Sequence, residues 1–274
     1  MKLAICNEFC EGWSLDDTCR LAAEVGCTGI EIAPFTLNKD ATKITESQKQ
    51  EVRDAAKKHG LEVVGLHWLL AMTEGLYINH PDDQMRQRTK DYFLALINLC
   101  EELGGDKMIF GSPYQRNVIE GETFEATYER TLDFFNSVVP AAGDAGVTIC
   151  MEPLARTETN FIINKDEGIK LIDDINHPAF RLLLDCKAMS DEERPAEDLI
   201  REANEYIAHF HVNDDNLSYP GSGSLDFVAT MKALLDINYQ GWVSLEVFDF
   251  SPGAETIARE GIGHIKESIA KASA

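Results

Sequence analysis

Short apolar runs alternate with amphipathic stretches along the whole chain. Leu3–Cys6, Gly29–Ala33 (GIEIA), Leu61–Leu66 (LEVVGL) and Lys107–Phe110 (KMIF) have the length and composition of buried strands. So do Val147–Glu152 (VTICME), Arg181–Asp185 (RLLLD), Ile207–His211 (IAHFH) and Trp242–Glu246 (WVSLE). The stretches between them carry helical spacing. Ser14 predicts the start of the first helix, with Asp17 at capping-box distance, Leu15, Cys19, Ala22 and Val25 on one face, and Gly26 as the stop. Thr45–His59 predicts a polar helix stopped by Gly60, and Asp82–Leu103 a long one with a stripe of Tyr92, Phe93, Leu96, Ile97, Cys100 and Leu103. Further helices are expected over Thr123–Ala145, kinked at Pro140, and over Lys165–Asp174, Pro195–Ala203, Leu225–Asp236 and Ala254–Ala270.

Alternating β and α elements imply a parallel sheet. Eight pairs in 274 residues, without a linker or a change of composition, imply one closed (β/α)8 TIM barrel over residues 1–274. The rival is an open doubly wound sheet. It would show a glycine-rich phosphate turn after the first strand, where this chain has Asn7-Glu8-Phe9-Cys10-Glu11-Gly12.

Charge narrows the partners. A net charge of −22 repels a polyphosphate backbone and anionic lipid headgroups, so neither nucleic acid nor membrane is expected as a partner. No stretch approaches a membrane span, and the apolar run in MKLAICNEF is too short for a signal-peptide core. The seven cysteines are odd in number, form no C-x-x-C pair and sit in apolar runs, as in reduced core cysteines of a cytoplasmic protein.

The last four apolar runs each end in a metal-liking side chain: Glu152, Asp185, His211 and Glu246. In a closed parallel sheet all strand C-termini lie on one face, so these four are expected to converge. Three carboxylates and an imidazole suit a divalent cation such as Mn²⁺, Mg²⁺ or Co²⁺, with Zn²⁺ also admissible. Around them lie further candidates. Glu158, in EPLARTETN, would orient substrate or act as an acid/base, with Arg156 to neutralise it. His67 and Trp68, closing the third strand, suit a sugar-binding wall. Arg116 in GSPYQRN would hold a carboxylate or phosphate, and Lys187, two residues after Asp185, points into the same region. His209 shares a strand face with His211 one layer deeper and reads as structural. The glycine-containing loop Pro220–Phe227 is a candidate gate.

With EPLARTE, LLLDCKAM, HFHVND, PGSG and SLEVF in view, the chain resembles the xylose isomerase-like barrels of the sugar phosphate isomerase/epimerase family. Ketose 3-epimerases and inosose dehydratase belong there and, more remotely, endonuclease IV. The resemblance covers essentially the whole chain. It implies that Glu152, Asp185, His211 and Glu246 are the metal ligands and that Glu158 stands beside the substrate. Two positions depart from the ketose 3-epimerases. A sugar-contacting histidine three residues past the metal-binding Asp is here Ala188, and a basic residue six past the metal-binding His is here Leu217.

The expected chemistry is proton transfer beside a carbonyl of a small sugar or keto-sugar, phosphorylated or not, through a metal-stabilised enediolate. Glu152 and Glu246 would be the acid and base that isomerise or epimerise it. Elimination from a keto-sugar, keto-glycoside or inosose is the runner-up on the same residues. An endonuclease IV-like phosphodiesterase is disfavoured by the acidic surface, and a binding protein that has lost turnover by the intact ligand set. A homo-oligomer, dimer or tetramer, accompanies the resemblance.

Overall fold

Each apolar run becomes a strand of one closed parallel barrel. The computed structural model describes residues 1–274. Its strands are β1 (Lys2–Cys6), β2 (Gly29–Ile32), β3 (Glu62–Leu66), β4 (Lys107–Phe110), β5 (Thr148–Met151), β6 (Phe180–Asp185), β7 (Ile207–Val212) and β8 (Trp242–Leu245). They pair in chain order, and β8 returns to β1 over Lys2↔Trp242 to Ile5↔Leu245. The open-sheet rival is thereby excluded.

The helices follow their sequence signals. Ser14 accepts from Asp17 N at 3.1 Å and opens α1 (Leu15–Glu24). Thr45 and Gln48 form a reciprocal capping box at the head of α2 (Glu46–Lys58). Asp82 caps α3 (Asp83–Leu103), and Gly104, at φ 83°, closes it. The next helix, α4 (Phe124–Asp144), continues through Pro140. It is followed by α5 (Lys165–Ile175), α6 (Cys186–Ser190), α7 (Ala196–Ala203), α8 (Phe227–Asp236) and α9 (Ala254–Ala272). The short α6 was not foreseen; Asp185 caps it by accepting from Ala188 N at 2.8 Å.

Two packed regions hold the barrel. Between strands and helices runs a continuous apolar layer. It includes the edge-to-face ring pairs Phe93–Phe110 at 5.9 Å and Phe110–Phe135 at 5.5 Å, with Phe180 tilted against Phe135 at 4.7 Å. Inside the ring of strands, small separate clusters fill the space, one of Ala4, Val64 and Trp242 and one of Ile109, Cys150 and Leu183. Gly29 faces the first of these. A Cβ there would lie 2.5 Å from the Trp242 ring and 2.7 Å from Val64, so only glycine fits. All seven cysteines are buried and free. The loop 220–227 is pinned rather than free: Asp214 accepts from Gly221 N at 2.8 Å and Leu225 N at 3.1 Å. It lines none of the three clefts described below.

Candidate metal centre

The four ligand candidates meet. Glu152 follows β5, Asp185 ends β6, His211 lies in β7 and Glu246 follows β8. One ligand atom from each lies within 4.8 Å of the others, and all four residues are buried. A register shift between Leu182 and Leu183 on β6 sets Asp185 directly opposite His211. Bulges of this kind re-aim side chains beside active sites.

Supporting contacts orient each ligand. Asp185 accepts from Asn213 Nδ2 at 2.6 Å, and Asn213 Oδ1 accepts from Lys187 N at 2.9 Å. His211 stands between two carboxylates, with Nδ1 3.0 Å from Glu246 Oε2 and Nε2 3.2 Å from Glu31 Oε2. The Nε2 contact leaves Nδ1 as the nitrogen facing the ligand cluster. Glu31 also lies 2.6 Å from Nε2 of His209. As β2 and β7 are separated by β8 and β1, this bond crosses the barrel interior one layer below the cluster. Trp68 donates its indole N–H to Glu246 Oε1 at 2.7 Å and is stacked between Phe35 and Phe248, at 5.8 and 6.0 Å. It does so from a left-handed backbone (φ 49°), a costly conformation for a bulky residue. Gly111 abuts Glu152: a Cβ there would lie 1.9 Å from Glu152 Oε2.

Three clustered carboxylates perturb one another. Burial first, then repulsion from Glu246 and Asp185, pushes Glu152 well above the usual carboxylate range. Burial likewise raises Asp185, to about 6. For Glu246 the burial effect is overcome by His211, which holds it low. His211 is raised well above an ordinary histidine, because Glu246 and Glu31 outweigh its burial. Glu31 is held well below the carboxylate range by the two histidines despite burial. An excess of buried negative charge around one point, with one imidazole nitrogen turned toward it, fits a hard divalent cation.

The other expected site residues divide. Glu158 lines a cleft of about 590 Å³ together with Glu152, Glu246, Trp68 and Phe248. Lys187 Nζ lies 2.5 Å from Glu158 Oε1 and 4.6 Å from the centre of the Phe248 ring. Arg156, expected to neutralise Glu158, instead pairs with Asp191 at 3.2 Å. Arg116 is not placed to hold a substrate anion. It is fully buried, and its guanidinium donates to the carbonyls of Glu152 at 2.7 Å and Ile162 at 3.4 Å. It therefore fixes the backbone that carries Glu152. His67 is not a cleft wall either: it is fully buried, with Nε2 2.8 Å from Glu8 Oε2. Trp68 takes the wall position beside it. Glu8, Glu31, Gly111 and Asn213 had no place in the sequence reading. Glu31 left one trace, an acid inside the apolar run GIEIA.

A cluster of three carboxylates and a histidine that could hold a metal ion, at the C-terminal rim of an eight-stranded parallel barrel, points to a class, and the comparisons narrow it. The family model described as xylose isomerase-like TIM barrel matches residues 19–268, and the chain belongs to that family. A D-psicose 3-epimerase of Agrobacterium fabrum is 33% identical over 232 residues, covering 82% of this chain and 76% of the relative. A D-psicose 3-epimerase of Ruminiclostridium cellulolyticum is 29% identical over 229 residues, covering 82% and 75%. A solved D-psicose 3-epimerase, crystallised in the presence of D-fructose, shares the fold with a TM-score of 0.85 at 23% identity, covering 98% of this chain and 99% of that one. A 3-keto-D-glucoside 4-epimerase from E. coli does so with 0.80 at 20% identity, covering 100% and 99%. No helix is long and apolar enough to cross a membrane.

Proposed function

We propose that the protein is a divalent-metal-dependent epimerase or isomerase of a keto-sugar. The observation that carries this reading is the division of labour within the cluster. Glu152 and Glu246 open onto the cleft, while Asp185 and His211 do not line it. Glu152, Asp185, His211 and Glu246 would hold the ion, with Mn²⁺, Mg²⁺ or Co²⁺ preferred by the oxygen-rich donor set. When bound, the ion supplies Lewis acidity to a ketone and its neighbouring hydroxyl, and charge to balance the enediolate that follows.

The remaining steps fall to the chain itself. Glu152 and Glu246 follow β5 and β8, strands separated by β6 and β7, and both line the cleft. One removes the proton beside the ketone and the other returns a proton to the opposite face, inverting that carbon. Trp68 fixes the orientation of Glu246 through its indole N–H, and Arg116 fixes Glu152 through the main chain. Glu158, anchored by Lys187, presents its carboxylate to substrate hydroxyls from the cleft wall. The relatives named D-psicose 3-epimerase support this assignment. The buried free thiols agree with a cytoplasmic protein, and a dimer or tetramer is the proposed assembly.

The test is incubation of Mn²⁺-loaded protein with a keto-sugar panel in deuterated water. Incorporation of deuterium with inversion at the carbon beside the ketone is expected. Loss of water or of an aglycone would move the assignment to a lyase on the same residues. Glu246→Gln should lower exchange by at least 100-fold, and a metal titration separates loss of the base from loss of the ion. Normal exchange in that variant would remove Glu246 from proton transfer.

A further inference from the structure

A second group of metal-liking side chains lies inside the barrel, apart from the four-residue cluster. Cys6, Glu31 and His67 are buried, and one ligand atom from each lies within 4.8 Å of the others. They come from three neighbouring strand units. Cys6 ends β1 and is the register partner of Glu31 on β2. A register shift between Ile30 and Glu31 sets Glu31 against Gly65 of β3. His67 follows β3, its main-chain N–H donating to the Ile32 carbonyl at 3.2 Å. Irregularities of this kind re-aim side chains.

His67 has one nitrogen engaged and one free. Its Nε2 lies 2.8 Å from Glu8 Oε2, and its buried Nδ1 has no hydrogen-bond partner. A metal-bound histidine has this arrangement: a carboxylate takes one ring N–H, which fixes the tautomer and makes the other nitrogen a better donor. Glu31 also keeps capacity. Its Oε1 meets His209 and its Oε2 meets His211, and each carboxylate oxygen carries two lone pairs. Burial, with Glu31 and Glu8 nearby, pushes the Cys6 thiol well above its usual range. A coordinating cation reverses that, because it deprotonates the thiol outright. An ion also has a way in. Beside the 590 Å³ cleft lie one of about 420 Å³, lined by Lys187 and Phe248, and one of about 460 Å³, lined by Asn7, Glu8 and Trp68. Glu8, which meets His67, belongs to the wall of the last.

We propose that Cys6 Sγ, a Glu31 carboxylate oxygen and His67 Nδ1 form a second metal site, suited to a borderline cation such as Zn²⁺, with Glu8 orienting His67. Binding displaces the Cys6 proton, so thiolate and carboxylate match the two charges of the ion, and a fourth position is left for water. The donors set the two centres apart. One thiolate, one imidazole and one carboxylate favour Zn²⁺ or Co²⁺, whereas an oxygen-rich set favours Mn²⁺ or Mg²⁺. Glu31 links them, since its Oε2 also meets Nε2 of His211.

The experiment titrates chelator-treated, full-length protein with Co²⁺ and, separately, with Zn²⁺. Co²⁺ signals a sulfur ligand through a sulfur-to-cobalt charge-transfer band in the near ultraviolet. Metal analysis of the desalted protein counts the Zn²⁺ retained. Two equivalents of either ion should bind, one of them giving the band. Cys6→Ser should lose the band and one equivalent while keeping Mn²⁺ uptake at the four-residue cluster. His67→Gln should remove the same equivalent, and Glu8→Gln should weaken it by about 10- to 100-fold. Cys10→Ser, a change to another buried thiol, should leave both equivalents and the band in place. Circular dichroism shows which variants fold, and the wild-type titration needs none of them. A single equivalent without the band overturns the proposal. So does a band that survives Cys6→Ser or is indifferent to His67→Gln. These readings need no turnover, so they stand or fall separately from keto-sugar exchange.

Discussion

Glu152 depends on a neighbour with no side chain. Gly111 lies so close to its carboxylate that one added methyl would occupy the position of Oε2. Gly111→Ala should therefore swing Glu152 out of the cluster and weaken Mn²⁺ binding by at least tenfold, read by calorimetry, with the circular dichroism spectrum preserved. At this scale the convergence of the four candidate residues was legible because each ends an apolar run, and the ends of parallel strands share one face of a closed barrel. Their supports were not. Glu31 and His209 are 178 positions apart and meet only because the barrel closes. Arg116 and His67 carry the residue types of a binding site, yet both are fully buried. Nothing local in GSPYQRN or GLHWLL encodes that depth.

Elements were readable wherever their ends carry chemistry. The capping side chains of Ser14, Thr45, Asp82 and Thr123 each mark a helix start, and Gly104 marks a stop. Strand limits moved by at most one residue at either end: Val147 and Glu152 lie outside β5, and Glu246 just beyond β8. Those shifts place the acids in the loops that build the catalytic face rather than in the wall. The five-residue α6 was missed because it is too short for periodicity to reveal. Its cap is Asp185 itself, so one carboxylate both begins a helix and serves the cluster. Thr45→Ala removes the double bond at the head of α2, far from the site. It should lower stability by about 1 kcal/mol in urea titration and leave Mn²⁺ affinity unchanged.

For the whole molecule, protons and the metal compete for one store of negative charge. Asp185 is raised in the fold to about 6 by burial and repulsion from Glu246, and Glu152 is raised as well, by burial and repulsion from Glu246 and Asp185. Between the ordinary carboxylate range and pH 6 the metal-free fold holds more protons than the unfolded chain. Its stability therefore falls as pH rises through that window. A cation that replaces those protons binds more tightly over the same interval. The increase in Tm on adding Mn²⁺ to chelator-treated protein should thus be larger at pH 7.5 than at pH 5. A constant or shrinking increment would contradict the buried-charge picture. The barrel itself was legible from the alternation of runs, since eight parallel strands with short connections have one economical closure.

The ring divides its duties along the chain. All four candidate ligands come from β5 to β8 and the segments after them, whereas Glu31, Trp68 and Gly111, which brace His211, Glu246 and Glu152, come from the first four strand units. A chain cut at the exposed turn of Gly146 would leave every donor on one fragment and these braces on the other. Mixed fragments should regain tight Mn²⁺ uptake only when they reassociate, so cation capture would serve as a meter of how completely the two semicircles have rejoined.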